Sequence, residues 1–183
     1  MKHIAQIDID NLKRIRKNVS LFIGDCARKY DAIGRVVLDI APQNHEGSAP
    51  YFKFAHIDTL DIDPESNATF IADICQDNSS IIPNNTYDFI VCTEVLEHTL
   101  QPFHAATEIH RLLKPGGLAF VTVPFNLRIH GPLPDCWRIT EYGLRSIFNN
   151  FKVVEINALE AKDRFLMPIH YTLIAEKYNL NES

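Results

Sequence analysis

Glycine is scarce in this chain. Only seven occur in 183 residues, and none builds the GxGxxG run that lets a backbone approach a pyrophosphate. A dinucleotide-binding oxidoreductase is therefore disfavoured. A basic excess is also missing, since 18 Lys and Arg stand against 23 Asp and Glu, a formal net charge of -5. General nucleic-acid binding needs a basic face and is not expected. The four cysteines, Cys26, Cys75, Cys92 and Cys136, form no CxxC pair and read as reduced thiols of a cytoplasmic protein. No apolar run is long enough to span a bilayer, and none follows Lys2 and His3 as a signal region would. A cytoplasmic chain without a membrane partner is expected. The stretch Lys13-Arg14-Ile15-Arg16-Lys17 is diluted by Asp8, Asp10 and Asp25 and reads as a solvated helix face. Repeats and low-complexity segments are absent.

The hydrophobic fraction of 46% describes one ordinary globular domain over residues 1–183, long enough to bury a core. Leu12, Ile15, Val19 and Phe22 recur every three to four residues and predict a helix over 11–30. This segment, 1–33, is expected to pack on the domain, as a fixed helix or as a lid. Short Val-, Ile- and Phe-rich runs at 36–40, 56–62, 68–72, 87–92 and 118–123 predict strands covered on both faces. Between the last two, Pro102 suits a first helical turn and Lys114-Pro115-Gly116-Gly117 a helix end. A helix over 141–149 follows Thr140 as N-cap, and strands at 151–159 and 169–177 close the chain. The alternation predicts an α/β fold with a doubly wound, mostly parallel sheet and an antiparallel final strand. Ligands of such sheets bind beyond the carboxyl ends of the strands.

Strand one ends at Asp39 and runs into Ala41-Pro42-Gln43-Asn44-His45-Glu46, with Gly47 as the first glycine. Strand two ends in Asp61-Ile62-Asp63. Asp61 lies 22 positions after Asp39, the spacing at which a carboxylate meets a ribose diol. Asp63 before Pro64 reads as the N-cap of a helix, which leaves Asp61 as the ribose candidate. Strand three ends in Asp73-Ile74, an acid that can accept from an adenine amino group beside an apolar cover. After strand four stand Cys92, Thr93 and Glu94, then Glu97-His98. The HxxEH zinc pattern would need a histidine where Glu94 stands, and His104 and His110 face different ways, so no metal is expected. Glu97 and His98 read as capping and backbone-bonded residues at a helix start.

The strings Tyr87-Asp88-Phe89-Ile90-Val91, Glu94-Val95-Leu96-Glu97-His98 and Leu113-Lys114-Pro115-Gly116-Gly117 resemble the class I S-adenosylmethionine-dependent methyltransferases. The likeness is to the small single-domain, methyltransferase type 11-like kind, over about residues 34–177. It implies a Rossmann-like seven-stranded sheet with helices on both faces, and S-adenosylmethionine at the ends of strands one to four. It places Asp39 near the methionine end, with Ala41 and Gln43 in the loop. Asp61 and Ile62 fall at the ribose, Asp73 and Ile74 at the adenine, and Cys92, Thr93 and Glu94 along the far wall. The sequence departs from the family in the glycine-poor loop. Ala41 is expected to take an ordinary backbone conformation that leaves room for a thioether chain.

The segment 124–148 holds His130, Asp135, Trp137 and Arg138 among Gly131, Pro132 and Pro134, and reads as an ordered loop over the cleft. It is similar to the H-G-P…D-x-W-R stretch of methyltransferases associated with glycan modification. In that reading Trp137 and Arg138 contact the acceptor, a small molecule or a glycan. The plainer reading makes Trp137 a packing anchor, Arg138 the partner of an acid and Asp135 a turn organiser. For a hydroxyl acceptor the base candidates are His130, then Asp135, then Glu94. Arg164, Met167 and His170 could border the same pocket, although Met167 and Tyr171 also suit a hairpin core. The rival reading is a catalytically inactive binding or scaffold protein with an altered cofactor loop.

Overall fold

The computed structural model describes residues 4–42 and 47–178. Helix α1 spans Gln6–Tyr30, starting five residues before the apolar periodicity indicates, and buries Ile15, Ile23, Cys26 and Ala27. It stops at Asp31, whose carboxylate accepts backbone N–H bonds from Lys53, Phe54 and Ala55. That contact ties the helix end to the segment entering the second strand.

The remaining elements are β1 (Val36–Ile40), β2 (His56–Asp61), β3 (Phe70–Ile71), β4 (Tyr87–Thr93), α2 (Pro102–Leu112), β5 (Leu113–Pro124), α3 (Glu141–Ile147), β6 (Phe151–Leu159) and β7 (His170–Lys177). They form one sheet in the order β3-β2-β1-β4-β5-β7-β6. Pairs β1–β2, β2–β3, β1–β4 and β4–β5 are parallel, whereas β7 runs antiparallel to both β5 and β6. The seven-stranded, doubly wound fold expected from the sequence is therefore present, with its switch point between β1 and β4.

Two local expectations fail. No helix follows Asp63. Its carboxylate takes the Glu65 N–H at 2.9 Å, but the segment makes only a turn, because β3 begins a few residues later. Beside β4, α2 stops at Leu112, and β5 starts at once with Leu113 opposite Tyr87, five residues before the strand the sequence indicates. The strand bulges through Lys114–Gly117 before regular pairing resumes at Phe89–Leu118. Thr140 caps α3 as expected, accepting the Gly143 N–H.

Helices cover both faces. Apolar residues of α2 and α3, including Ala106, Ile109, Leu144 and Ile147, pack on one side with Leu38, Ile90 and Val121. On the other side α1 meets an aromatic layer of Phe52, Phe89 and Phe120, joined by Tyr30. Phe120 stacks between Tyr30 and Phe89 at 5.6 and 5.7 Å. Burying each such ring stabilises the fold by about 2–3 kcal/mol. Beneath the layer, buried Asp88 accepts from Arg35 (2.6 Å), Lys114 (2.7 Å) and the Val36 N–H (3.0 Å). Its desolvation is outweighed by these contacts, which hold its carboxyl below the usual range.

Candidate active site

A cleft of about 690 Å³ opens at the carboxyl ends of β1, β2 and β4. At the end of β1, Asp39 is only 3% exposed, and one of its oxygens accepts the Ser48 N–H at 2.6 Å. Burial pushes its carboxyl up to about 6 despite that bond. Gly47 sits against it with φ +55, and a Cβ there would overlap the Asp39 carboxylate and come within 2.8 Å of the Pro42 Cβ. The loop's single glycine thus performs the close approach that a glycine-rich run would provide. Ala41 departs from expectation: its φ is +51, the left-handed region that costs an L-residue roughly 1–2 kcal/mol. The strand end must turn sharply there, and the Ala41 N–H is held by the Leu60 carbonyl at 2.7 Å. Gln43 lies outside the described residues.

At the end of β2, Asp61 is 5% exposed and lines the cleft. One oxygen takes the Asp63 N–H at 3.0 Å, and the other has no protein partner among the described residues. Ile62 and Ile74 face the same space with Asp73, whose carboxylate is steadied by the Cys75 N–H at 2.8 Å. These groups fit S-adenosylmethionine: an oxygen for a ribose diol, an acid for an adenine amino group and apolar surfaces for its ring. Cys92 and Thr93 do not line the cleft. Cys92 is fully buried beneath it, and burial raises its thiol far above the ordinary range. The period-2 alternation of a central strand turns it into the core.

Glu94, the next residue, does line the cleft and has φ +55. Its Oε1 accepts from Thr122 Oγ1 (2.9 Å) and His170 Nε2 (2.7 Å), while Asn18 of α1 bonds His170 Nδ1 at 2.9 Å. This network assigns the His170 proton to Nε2. His170 is fully buried, so it belongs to the support of Glu94 and does not border an acceptor pocket.

Beyond Glu94 a single 3-10 turn, Leu96–His98, carries Glu97 inward. Glu97 is fully buried, and neither side-chain oxygen has a hydrogen-bond partner among the described residues. It is not the cap that the sequence suggests. Burial, then the neighbouring charge of Glu94, raises its carboxyl well above the usual range. His98 Nε2 and His130 Nε2 each lie 3.8 Å from Glu97 Oε1, and the two rings meet edge to face at 4.9 Å. His98 Nδ1 donates to the Pro134 carbonyl at 2.9 Å. His130 Nδ1 lies 3.0 Å from an Asp135 oxygen, though its N–H is not aimed along that line.

The loop after β5 is fixed chiefly by Arg138. Its guanidinium binds both Asp135 oxygens (2.5 and 2.8 Å) and the carbonyls of Leu127, Arg128 and Trp137. Those bonds hold the Asp135 carboxyl far below the usual range. Trp137 donates to the Thr99 carbonyl at 2.8 Å, and the Cys136 and Trp137 N–H groups bond the Glu97 carbonyl. Arg138, Asp135 and Trp137 thus bind the loop to itself and to the turn before α2. His130 comes together with Glu97 and His98, a meeting that chain spacing does not announce.

Known proteins share this architecture. A family profile described as a methyltransferase domain matches residues 12–175. Among solved structures, a S-adenosylmethionine-dependent methyltransferase of Methanosarcina mazei is similar with a TM-score of 0.64 and 16% identity, covering 84% of this chain and 97% of its own. One from Aquifex aeolicus gives 0.60 and 18%, covering 90% and 97%. The [4+2]-cyclase SpnF gives 0.66 and 14%, covering 85% and 80%. No curated protein sequence matches the chain. At such identities the structures show the fold alone, while the profile spans nearly the whole sequence. The chain belongs to the methyltransferase domain family.

Proposed function

We propose that this protein transfers a methyl group from S-adenosylmethionine to a hydroxyl of a small-molecule or glycan-type acceptor. The observation that carries the reading is the cleft itself, with Asp61, Asp73 and Ile74 at one end and Glu94 and His98 at the other. When bound, the cofactor supplies a methyl carbon already activated by its sulfonium, so the protein's part is alignment and exclusion of water. Asp61 orients the ribose, Asp73 and Ile74 receive the adenine, and buried Asp39 shapes the loop at the methionine end. Of the three base candidates, Glu94 alone lines the cleft. Asp135 is committed to Arg138, and His130 turns toward Glu97. Glu94 is therefore placed to take the acceptor proton, held in position by Thr122 and His170. Pro132 and Pro134 from the ordered loop wall the acceptor side.

Calorimetric titration with S-adenosylhomocysteine, with NAD as control, tests the first half. Micromolar binding of the former alone is expected. Asp61→Ala should weaken it roughly 10- to 100-fold, the loss of charge-assisted hydrogen bonds of about 1.5–3 kcal/mol. Glu94→Gln should keep that affinity and lose turnover. Absence of binding to wild-type protein would favour the scaffold reading instead.

A further inference from the structure

We propose that Glu97, His98 and His130 form a binding site for a divalent transition-metal ion in the wall between the cleft and the loop after β5. Their ligand atoms all lie within 4.8 Å of one another. Two imidazoles and a carboxylate suit such an ion, and a three-ligand set leaves coordination positions open.

Three further features point the same way. The Glu97 carboxyl is fully buried with neither oxygen bonded among the described residues, an arrangement that is costly in either protonation state unless something satisfies it. At 3.8 Å the two Nε2 atoms are too far for hydrogen bonds to Glu97 Oε1. Donors placed about 2.0–2.2 Å from one ion stand roughly 3.0–3.6 Å apart, so each glutamate–histidine pair needs a contraction of a few tenths of an ångström. The whole set, within 4.8 Å, needs a side-chain adjustment of about 1–2 Å at most. The outer nitrogen of His98 is already engaged, Nδ1 by the Pro134 carbonyl, while His130 Nδ1 lies 3.0 Å from an Asp135 oxygen without a formed hydrogen bond. That leaves the His98 Nε2 lone pair directed inward, the arrangement by which outer partners orient metal-bound histidines, and a small rotation of His130 toward Asp135 would do the same for its ring. The histidine side chains keep 16% and 21% of their surface exposed, so an ion has access. Because His98 also lines the cleft, an open position on the ion faces the place where an acceptor oxygen would sit. That last role rests on the methyltransferase reading, whereas the site does not.

Untagged protein, stripped with chelator, is titrated with Co²⁺ and followed by visible absorption. One equivalent is expected to bind with a low-symmetry d–d spectrum that Zn²⁺ abolishes. His98→Ala and His130→Ala should each weaken Co²⁺ binding at least 10-fold, as should Glu97→Gln. His104→Ala, on the exposed face of α2, should change nothing. S-adenosylhomocysteine titration and thermal unfolding of each variant report the fold independently. Co²⁺ binding by a protein that fails to bind S-adenosylhomocysteine would keep the metal site and remove the cofactor reading. A wild-type protein that binds S-adenosylhomocysteine but no Co²⁺ overturns the proposal. So does unchanged Co²⁺ affinity in both histidine variants.

Discussion

Asp39 is an acid whose burial opposes its charge. Its carboxyl titrates from 3.8 in the unfolded chain to about 6 in the folded one. Between those values the folded state holds a proton that the unfolded state has lost, so stability falls as pH rises through this window. Two units correspond to about 3 kcal/mol. Asp39→Asn keeps an oxygen for the Ser48 N–H and removes the charge. Thermal unfolding between pH 4 and 7 should show the wild type losing stability relative to this variant. Parallel curves would mean that Asp39 is charged without penalty. Its neighbour Gly47 is equally constrained. Gly47→Ala combines left-handed strain with overlap on the Asp39 carboxylate, and about 2 kcal/mol of destabilisation is expected by denaturant titration. The importance of Asp39 and Asp61 is legible in the sequence, because acids that end strands carry a positional meaning. The pairing of Glu97 with His130 is not, since a closed loop brings together residues far apart in the chain.

At the scale of elements, helix α1, strand β4 and helix α2 are readable from periodicity, Pro102 and the β-branched runs. The failures have local causes. The Asp63-Pro64 pair carries a helix-start signal, but the short path to β3 allows only a turn. The Lys114-Pro115-Gly116-Gly117 stretch carries a helix-stop signal, yet it lies inside a bulged strand. The loop after β5 depends on one residue more than any other, because Arg138 satisfies two carboxylate oxygens and three carbonyls. A lysine offers a point charge without the planar fork. Arg138→Lys should therefore open the segment 126–137 to limited proteolysis, while the far-ultraviolet spectrum stays that of the wild type. Resistance equal to the wild type would show that Trp137 and the backbone bonds to Glu97 suffice.

Across the whole molecule the covering of the sheet is uneven. Helices pack over β4, β5 and β7, whereas the described parts of the connections between β1, β2, β3 and β4 contain turns alone. Ile62 and Ile71 on that side are 66% and 45% exposed, although Leu38, Val91 and Phe120 at the centre are fully buried. Local opening follows such differences in apolar contact. Native-state hydrogen exchange should find the β2–β3 amides opening well before those of β4, β5 and β7, and S-adenosylhomocysteine should protect the β2 end most. No helix among the described residues is long and apolar enough to cross a membrane.

The left-handed turn at Ala41 has a genetic meaning. Alanine codons differ from glycine codons at a single base, so the residue best suited to that backbone lies one point mutation away. Glycine there would relieve up to about 1–2 kcal/mol of strain in the folded loop, partly offset by the greater freedom of the unfolded chain. A random library selected for tighter retention of cofactor would reach that substitution early. The alanine is then a choice between a stiffer loop and a relaxed one, and the balance between them is within easy reach of drift.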